Sequence, residues 1–115
     1  MVGVPLGIPV FTMFTPGIMC RVFTAIAIHH PHPDHVEDFI RHMDLVVKST
    51  AGADGLIEFS CWREADGRLL GYSRWESRGA FEAALPLIGA NRDRRRPEWT
   101  VADDELLQLS ELEPG

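Results

Sequence analysis

The hydrophobic period of this chain switches from two to about 3.6 residues, and then does so a second time, which leaves few folds open. Residues 21–29 (RVFTAIAIH) alternate, with Phe23, Ala25 and Ala27 on one side and Val22, Thr24, Ile26 and Ile28 on the other. Both sides are largely apolar, as expected for a strand covered on both faces. The run His29-His30-Pro31-His32-Pro33 is predicted to stop it, because proline cannot donate to a ladder. From about Asp34 to Ala51 the spacing is helical, with Val36, Phe39, Ile40, Met43, Val46 and Val47 on one stripe. Pro33, Asp34 and Glu37 suit the positive start of that helix, and Gly52 and Gly55 its stop.

The second half repeats the pattern. Residues 56–63 (LIEFSCWR) alternate, with Ile57, Phe59 and Cys61 set against Leu56, Glu58, Ser60 and Trp62. Glu64-Ala65-Asp66-Gly67 reads as a hairpin turn, with Asp-Gly where positive backbone angles are needed. Residues 68–76 return as a third strand. Ser77 is a natural N-cap for a second helix, whose buried stripe is Ala80, Phe81, Ala84, Leu85 and Ile88. Pro86 is expected to kink or end it early. Residues 89–103 read as an arginine-rich loop and 105–112 as the last strand.

The predicted fold is therefore α+β: a ferredoxin-like βαββαβ order with a four-stranded antiparallel sheet and both helices on one face. The other face is then bare and apolar, and a second copy of the chain is its expected cover.

A length of 115 residues suits one domain. The expected division is an N-terminal arm over 1–20 and the folded domain over 21–115. Residues 1–19 are apolar but broken by Pro5, Pro9 and Pro16, and they lack a basic start and a small-residue cleavage site. They read either as an extended arm or as sequence upstream of a natural start at Met19. The net charge of −6 and pI near 5.2 argue against nucleic acid or an anionic membrane surface as partner. No apolar run approaches the ~20 residues of a membrane span. Two cysteines, Cys20 and Cys61, make neither a zinc knuckle nor a disulfide framework, so a reduced, cytoplasmic protein is expected.

One segment carries a resemblance. Ser73-Arg74-Trp75-Glu76-Ser77-Arg78-Gly79-Ala80-Phe81 closely resembles the R-W-E-S-x-x-A-F signature of the antibiotic biosynthesis monooxygenase superfamily. His32-Pro33 through Phe39, Gly55-Leu56 and the Asp66-Gly67 hairpin support it, and the similarity covers roughly residues 21–112. The resemblance implies a dimeric α+β barrel with a pocket in each subunit between the sheet and its own helices. It also implies an oxygenase that needs neither metal nor flavin and oxidises an aromatic or polyketide-type molecule. Trp75 stands where the family's functional strand tryptophan stands, and its ring is expected to face the pocket as a catalytic group. The Asn and Tyr of phenol-oxidising members are replaced here by Gly71 and Phe81. Haem-degrading members resemble one another in a pocket His near Leu85 or Pro86 and an Asn near Ala27, and this chain has neither, so haem degradation is disfavoured. The rival reading is a non-catalytic dimeric protein of the same fold that binds a small apolar ligand or serves another enzyme.

Cofactor-free oxygenation asks for a dry apolar cavity, a hydrogen-bonding group and a cation for the developing anion. Phe23, Ala27, Phe59, Gly71, Phe81 and Trp99 are the candidate substrate-binding residues, the small ones leaving room for the ring. Trp99 is expected either to cap the cavity or to anchor its loop. His29, His30, His32 and His35 crowd into seven positions, yet they lie between prolines rather than at metal-ligand spacing, so no metal site is expected. Histidine as a residue type suits general-base chemistry, and His29 is the candidate catalytic base, with His35 beside it at the predicted rim. Of the arginines between 92 and 96, Arg95 is the candidate partner for a substrate carboxylate or phenolate.

Overall fold

The computed structural model describes residues 21–112. The order is β1 (Phe23–Pro31), α1 (Val36–Thr50), β2 (Leu56–Arg63), β3 (Leu69–Trp75), α2 (Arg78–Arg92) and β4 (Thr100–Ser110). Short 3-10 turns at Pro33–His35 and Pro97–Trp99 lead into α1 and β4. The sheet runs β2-β3-β1-β4 with every neighbour antiparallel, the ferredoxin-like α+β arrangement. The predicted N-terminal arm, residues 1–20, lies outside the described residues.

Alternation decides which side chains meet the helices. On β3, Leu69, Gly71, Ser73 and Trp75 are buried, and their β1 partners Phe23, Ala25, Ala27 and His29 share that face. Two clusters fill the layer. Phe23, Ala25, Trp75, Phe81 and Ala84 pack at one end, and Phe39, Met43 and Leu69 at the other. Ile26, Tyr72, Leu107 and Leu109 point the opposite way, where no described element covers them.

Gly55 joins the layers. Its φ is +81°, and a Cβ there would stand 2.5 Å from the Cβ of Ala80, so no larger residue fits between β2 and α2. Ser77 caps α2 as its hydroxyl accepts from the Ala80 amide at 3.1 Å. At the far end Asn91 Nδ2 donates to the Leu87 carbonyl (3.0 Å) and Asn91 Oδ1 accepts from Ser49 on α1 (3.4 Å), clasping the two helices.

Four boundaries differ from the sequence reading. β1 continues through Pro31, because pairing with β3 ends at His29 and Pro31 meets only Thr100, across a bulge. A second bulge between Leu56 and Glu58 turns Leu56 onto the core and leaves Ile57 exposed, reversing the predicted faces at the start of β2. α2 runs straight past Pro86, since Pro86 and Glu82, whose carbonyl loses its donor, both lie on the exposed side. β4 begins at Thr100 rather than 105, which brings Asp104 into the sheet.

Candidate active site

Between the sheet and the two helices lies a cavity of about 160 Å³. Its floor is the small-residue patch Ala25, Ala27, Gly71 and Ser73, flanked by Phe59 and Leu106. Met43 and Val46 of α1 and Phe81, Leu85 and Ile88 of α2 roof it. Gly71 leaves a recess in the floor. A Cβ there would lie at ordinary contact distance from a ring carbon of Phe59 (3.7 Å), the Ala27 Cβ (4.0 Å) and His29 Nε2 (4.0 Å). His29 thus presents Nε2 to the recess.

One end of this apolar chamber is polar. His29 from β1, His42 from α1, Asp104 from β4, and Arg92 and Arg95 from the end of α2 and the loop after it all reach it. Arg95 donates to Asp104 Oδ2 at 2.8 Å, and an Arg92 nitrogen lies 3.4 Å from the same oxygen. His29 Nδ1 stands 3.0 Å from Asp104 Oδ1, an ion-pair distance, although neither atom reaches a well-aligned hydrogen bond. Burial works to raise the pKa of Asp104, but His29 and Arg95 outweigh it and hold the carboxyl down at about 2. Asp104 is therefore a carboxylate throughout the physiological range.

Phe39 organises this end. Fully buried, its ring packs against those of His29 (centroids 4.9 Å apart) and His42 (5.9 Å), and the Arg95 guanidinium lies 5.4 Å from its centroid. His42 is only 8% exposed and no described residue hydrogen-bonds its ring. Burial first, then the charges of Arg95 and His29, push its pKa down, against the pull of Asp104. It sits on the cavity wall as a neutral imidazole.

Of the residues expected from sequence, the structure brings His29, Arg95, Ala27, Phe59, Gly71 and Phe81 together around this cavity. Three go elsewhere. Trp75 does not line it: the ring is fully buried against Phe81, and its Nε1–H donates to Ser73 Oγ at 2.9 Å. It acts from behind the floor by holding Ser73, which does line the chamber. Phe23 is likewise core, packed on Phe81. Trp99 is an anchor rather than a lid. Its ring rests on the cluster of Phe39, Met43 and Leu69 and props His42 edge-on (6.1 Å), while its carbonyl accepts from the His32 amide at 2.7 Å.

The histidine run disperses, because adjacent strand positions point to opposite faces. His30 pairs with Glu105 (2.8 Å), His32 accepts from the Asp34 amide (3.0 Å), and His35 pairs with Asp38 (3.0 Å) away from the cavity. Among the described residues no three His, Cys, Asp or Glu side chains come close enough to hold a metal. Cys61 carries a free thiol whose pKa is pushed up by the packing around it, so it stays protonated. Cys20 lies outside the described residues. A wider groove of about 400 Å³ runs between α1 and the edge strand β2, but Asp44 and Arg63 are its only charged residues and nothing polar converges there.

Sequence reasoning misses Asp104, His42 and Arg92. Asp104 shares the parity of Leu106 and Gln108 on β4, a signal lost when the strand is started at 105. His42 follows Phe39 by three and so falls on the buried stripe of α1. Arg92 is visible only as one member of a basic run.

With this geometry in view, a family model described as antibiotic biosynthesis monooxygenase matches residues 22–86. Solved structures share the fold. A Mycobacterium tuberculosis protein superposes with a TM-score of 0.70 at 23% identity, over 81% of this chain and 97% of its own. A Pseudomonas aeruginosa protein gives 0.71 at 18% identity, over 84% and 100%. A mutant form of SnoaB from Streptomyces nogalater, a cofactor-independent oxygenase, gives 0.62 at 17% identity, over 81% and 95%. No match is found among curated proteins. No helix of the described residues is long and apolar enough to cross a membrane.

Proposed function

Because this chain belongs to the antibiotic biosynthesis monooxygenase family, we propose that it oxidises an aromatic, polyketide-type small molecule with dioxygen, using no metal, flavin or haem. The observation that carries this reading is the His29–Asp104 pair at 3.0 Å, set in an apolar chamber with His29 Nε2 facing the recess at Gly71. A phenol or quinol seated there gives its hydroxyl proton to Nε2. The carboxylate of Asp104, 3.0 Å from the other ring nitrogen, steadies the imidazolium that forms by its charge. The resulting phenolate, stripped of water, reduces dioxygen directly. A bond forms between a ring carbon and one oxygen atom, the O–O bond breaks, and the second oxygen leaves as water with the two hydrogens lost by the substrate. The ring is oxidised by four electrons and dioxygen is reduced by four. Arg95, bonded to Asp104 at 2.8 Å, holds that carboxylate in place beside His29 at the polar end.

The active form in this reading is a homodimer joined through the open sheet face, in the cytoplasm. The exposed apolar residues Leu107 and Leu109 on that face support the first, and the free Cys61 thiol the second. Oxygen uptake with a panel of quinols and anthrones tests the chemistry. His29→Gln is expected to lower kcat by about 10²–10⁴-fold with the fold intact by circular dichroism. Unchanged turnover in that variant would remove His29 from the mechanism. If no substrate is turned over while aromatic ligands still raise the melting temperature, the protein is a binding module of the same fold.

A further inference from the structure

We infer that the cavity is built for a single-ring aromatic acid, with the ring in the chamber and its carboxylate held at the mouth by Arg92. This deepens the monooxygenase reading above and rests on it for the chemistry that follows binding. Three observations carry it, and the first is size. A chamber of about 160 Å³ matches cavities of roughly 150 Å³ that take up one benzene ring.

The second is charge. Two guanidinium groups, Arg92 and Arg95, face one carboxylate, Asp104. Arg95 is spent on it: its side chain is largely buried and bonds Asp104 at 2.8 Å. Arg92 is 3.4 Å from the same oxygen, beyond a good charge-assisted bond, and its side chain is 60% exposed at the mouth. The chamber therefore carries one positive charge in excess, placed where a ligand enters. An uncharged ligand leaves that excess uncompensated, whereas a carboxylate meets it with a bidentate pair.

The third is the set of unused polar groups. His42 is nine-tenths buried on the wall and hydrogen-bonded by nothing described, so its imidazole is available to a hydroxyl or carboxylate of the ligand. A ring carrying an acid at one end and a hydroxyl toward Gly71 matches these groups, with His29 Nε2 at the recess for the hydroxyl proton.

The test separates binding from turnover. Calorimetric titration with benzoate and phenol, neither requiring turnover, reads the acid subsite. Benzoate is expected to bind at least tenfold tighter than phenol, and Arg92→Gln, a change at an exposed side chain, is expected to erase that advantage. Oxygen uptake then compares 2,5-dihydroxybenzoate, hydroquinone and anthrone. The acid should show a KM at least tenfold below that of hydroquinone, one oxygen atom entering the ring and the other leaving as water. Equal affinities for benzoate and phenol, a benzoate preference that survives Arg92→Gln, or anthrone bound as tightly as the one-ring acid would each overturn the inference. Hydroquinone turnover would in those cases leave the monooxygenase reading standing. Arg92-dependent benzoate binding with no oxygen uptake on any substrate would do the reverse.

Discussion

Asp104 sets the charge balance of the cavity, and the pH response of the protein should show it. Its folded pKa of about 2 lies below the ordinary 3.8, so the unfolded chain takes up the proton first. The stability it contributes is present above about pH 4 and is lost as the pH falls toward 2. Asp104→Asn leaves Arg95 with a buried, unpaired charge and should cost about 3 kcal/mol at neutral pH. Urea midpoints recorded from pH 5 downward should then be flatter for the variant than for the parent. His42 acts in a higher window. Its folded pKa is depressed below 6.5, mainly by burial, with Arg95 and His29 adding to it and Asp104 opposing. The unfolded state again binds the proton more readily, so stability declines as the pH drops below 6.5. His42→Gln should remove that part of the slope. A parent protein whose midpoint is constant from pH 8 to 5 would show that the imidazole is solvated rather than enclosed.

Elements are legible in the sequence wherever period and burial agree. β1 and β3 keep their predicted faces because both are interior strands whose alternate residues meet either helices or the open face. The stripe of α1 is readable from Phe39 and Met43, although His42 lies on it as well. Reading fails where backbone geometry overrides pattern. The bulge at Leu56–Glu58 inverts two side chains, and composition gives no sign of an extra residue in a ladder. In the first half of β4 polarity masks alternation, since Asp104 faces inward as a charged group that survives burial through partners on three other segments. The cavity inherits the same limits: its apolar floor is visible as small residues on two strands, its polar end is not. Two substitutions test these elements. Gly55→Ala should cost about 1–3 kcal/mol, because it combines a positive φ with a Cβ 2.5 Å from that of Ala80. Pro86→Ala should stabilise α2. An interior proline costs a helix about 3 kcal/mol, and the entropy proline removes from the unfolded chain returns up to about 1 kcal/mol. Thermal unfolding should therefore show a gain of about 2 kcal/mol.

At the scale of the whole molecule the sheet has one face in use and one face idle. The used face is closed by α1 and α2 and contains the chamber. The other shows Leu107 and Leu109, each nearly half exposed, beside Ile26 and Tyr72, with Trp62 more than half exposed on the edge strand. A hydrophobic surface of this extent on a domain this small lowers its stability in water unless it is buried. A twofold axis across the sheet would bury the patch on both copies at once, since an isologous contact sets each residue against its own symmetry-related surface. The dimer should then persist at micromolar concentration by sedimentation equilibrium. Leu107→Asp places a charge on that surface, on the edge strand β4, and, by symmetry, two in the interface. It should shift the mass to that of a single chain and lower the melting temperature, while far-ultraviolet circular dichroism stays that of a folded α+β domain. Leu107 points away from the cavity, so benzoate binding by this monomer would show that each chamber is complete within one chain. A wild-type protein that sediments as one chain at these concentrations would leave the idle face without a function and end the case for pairing.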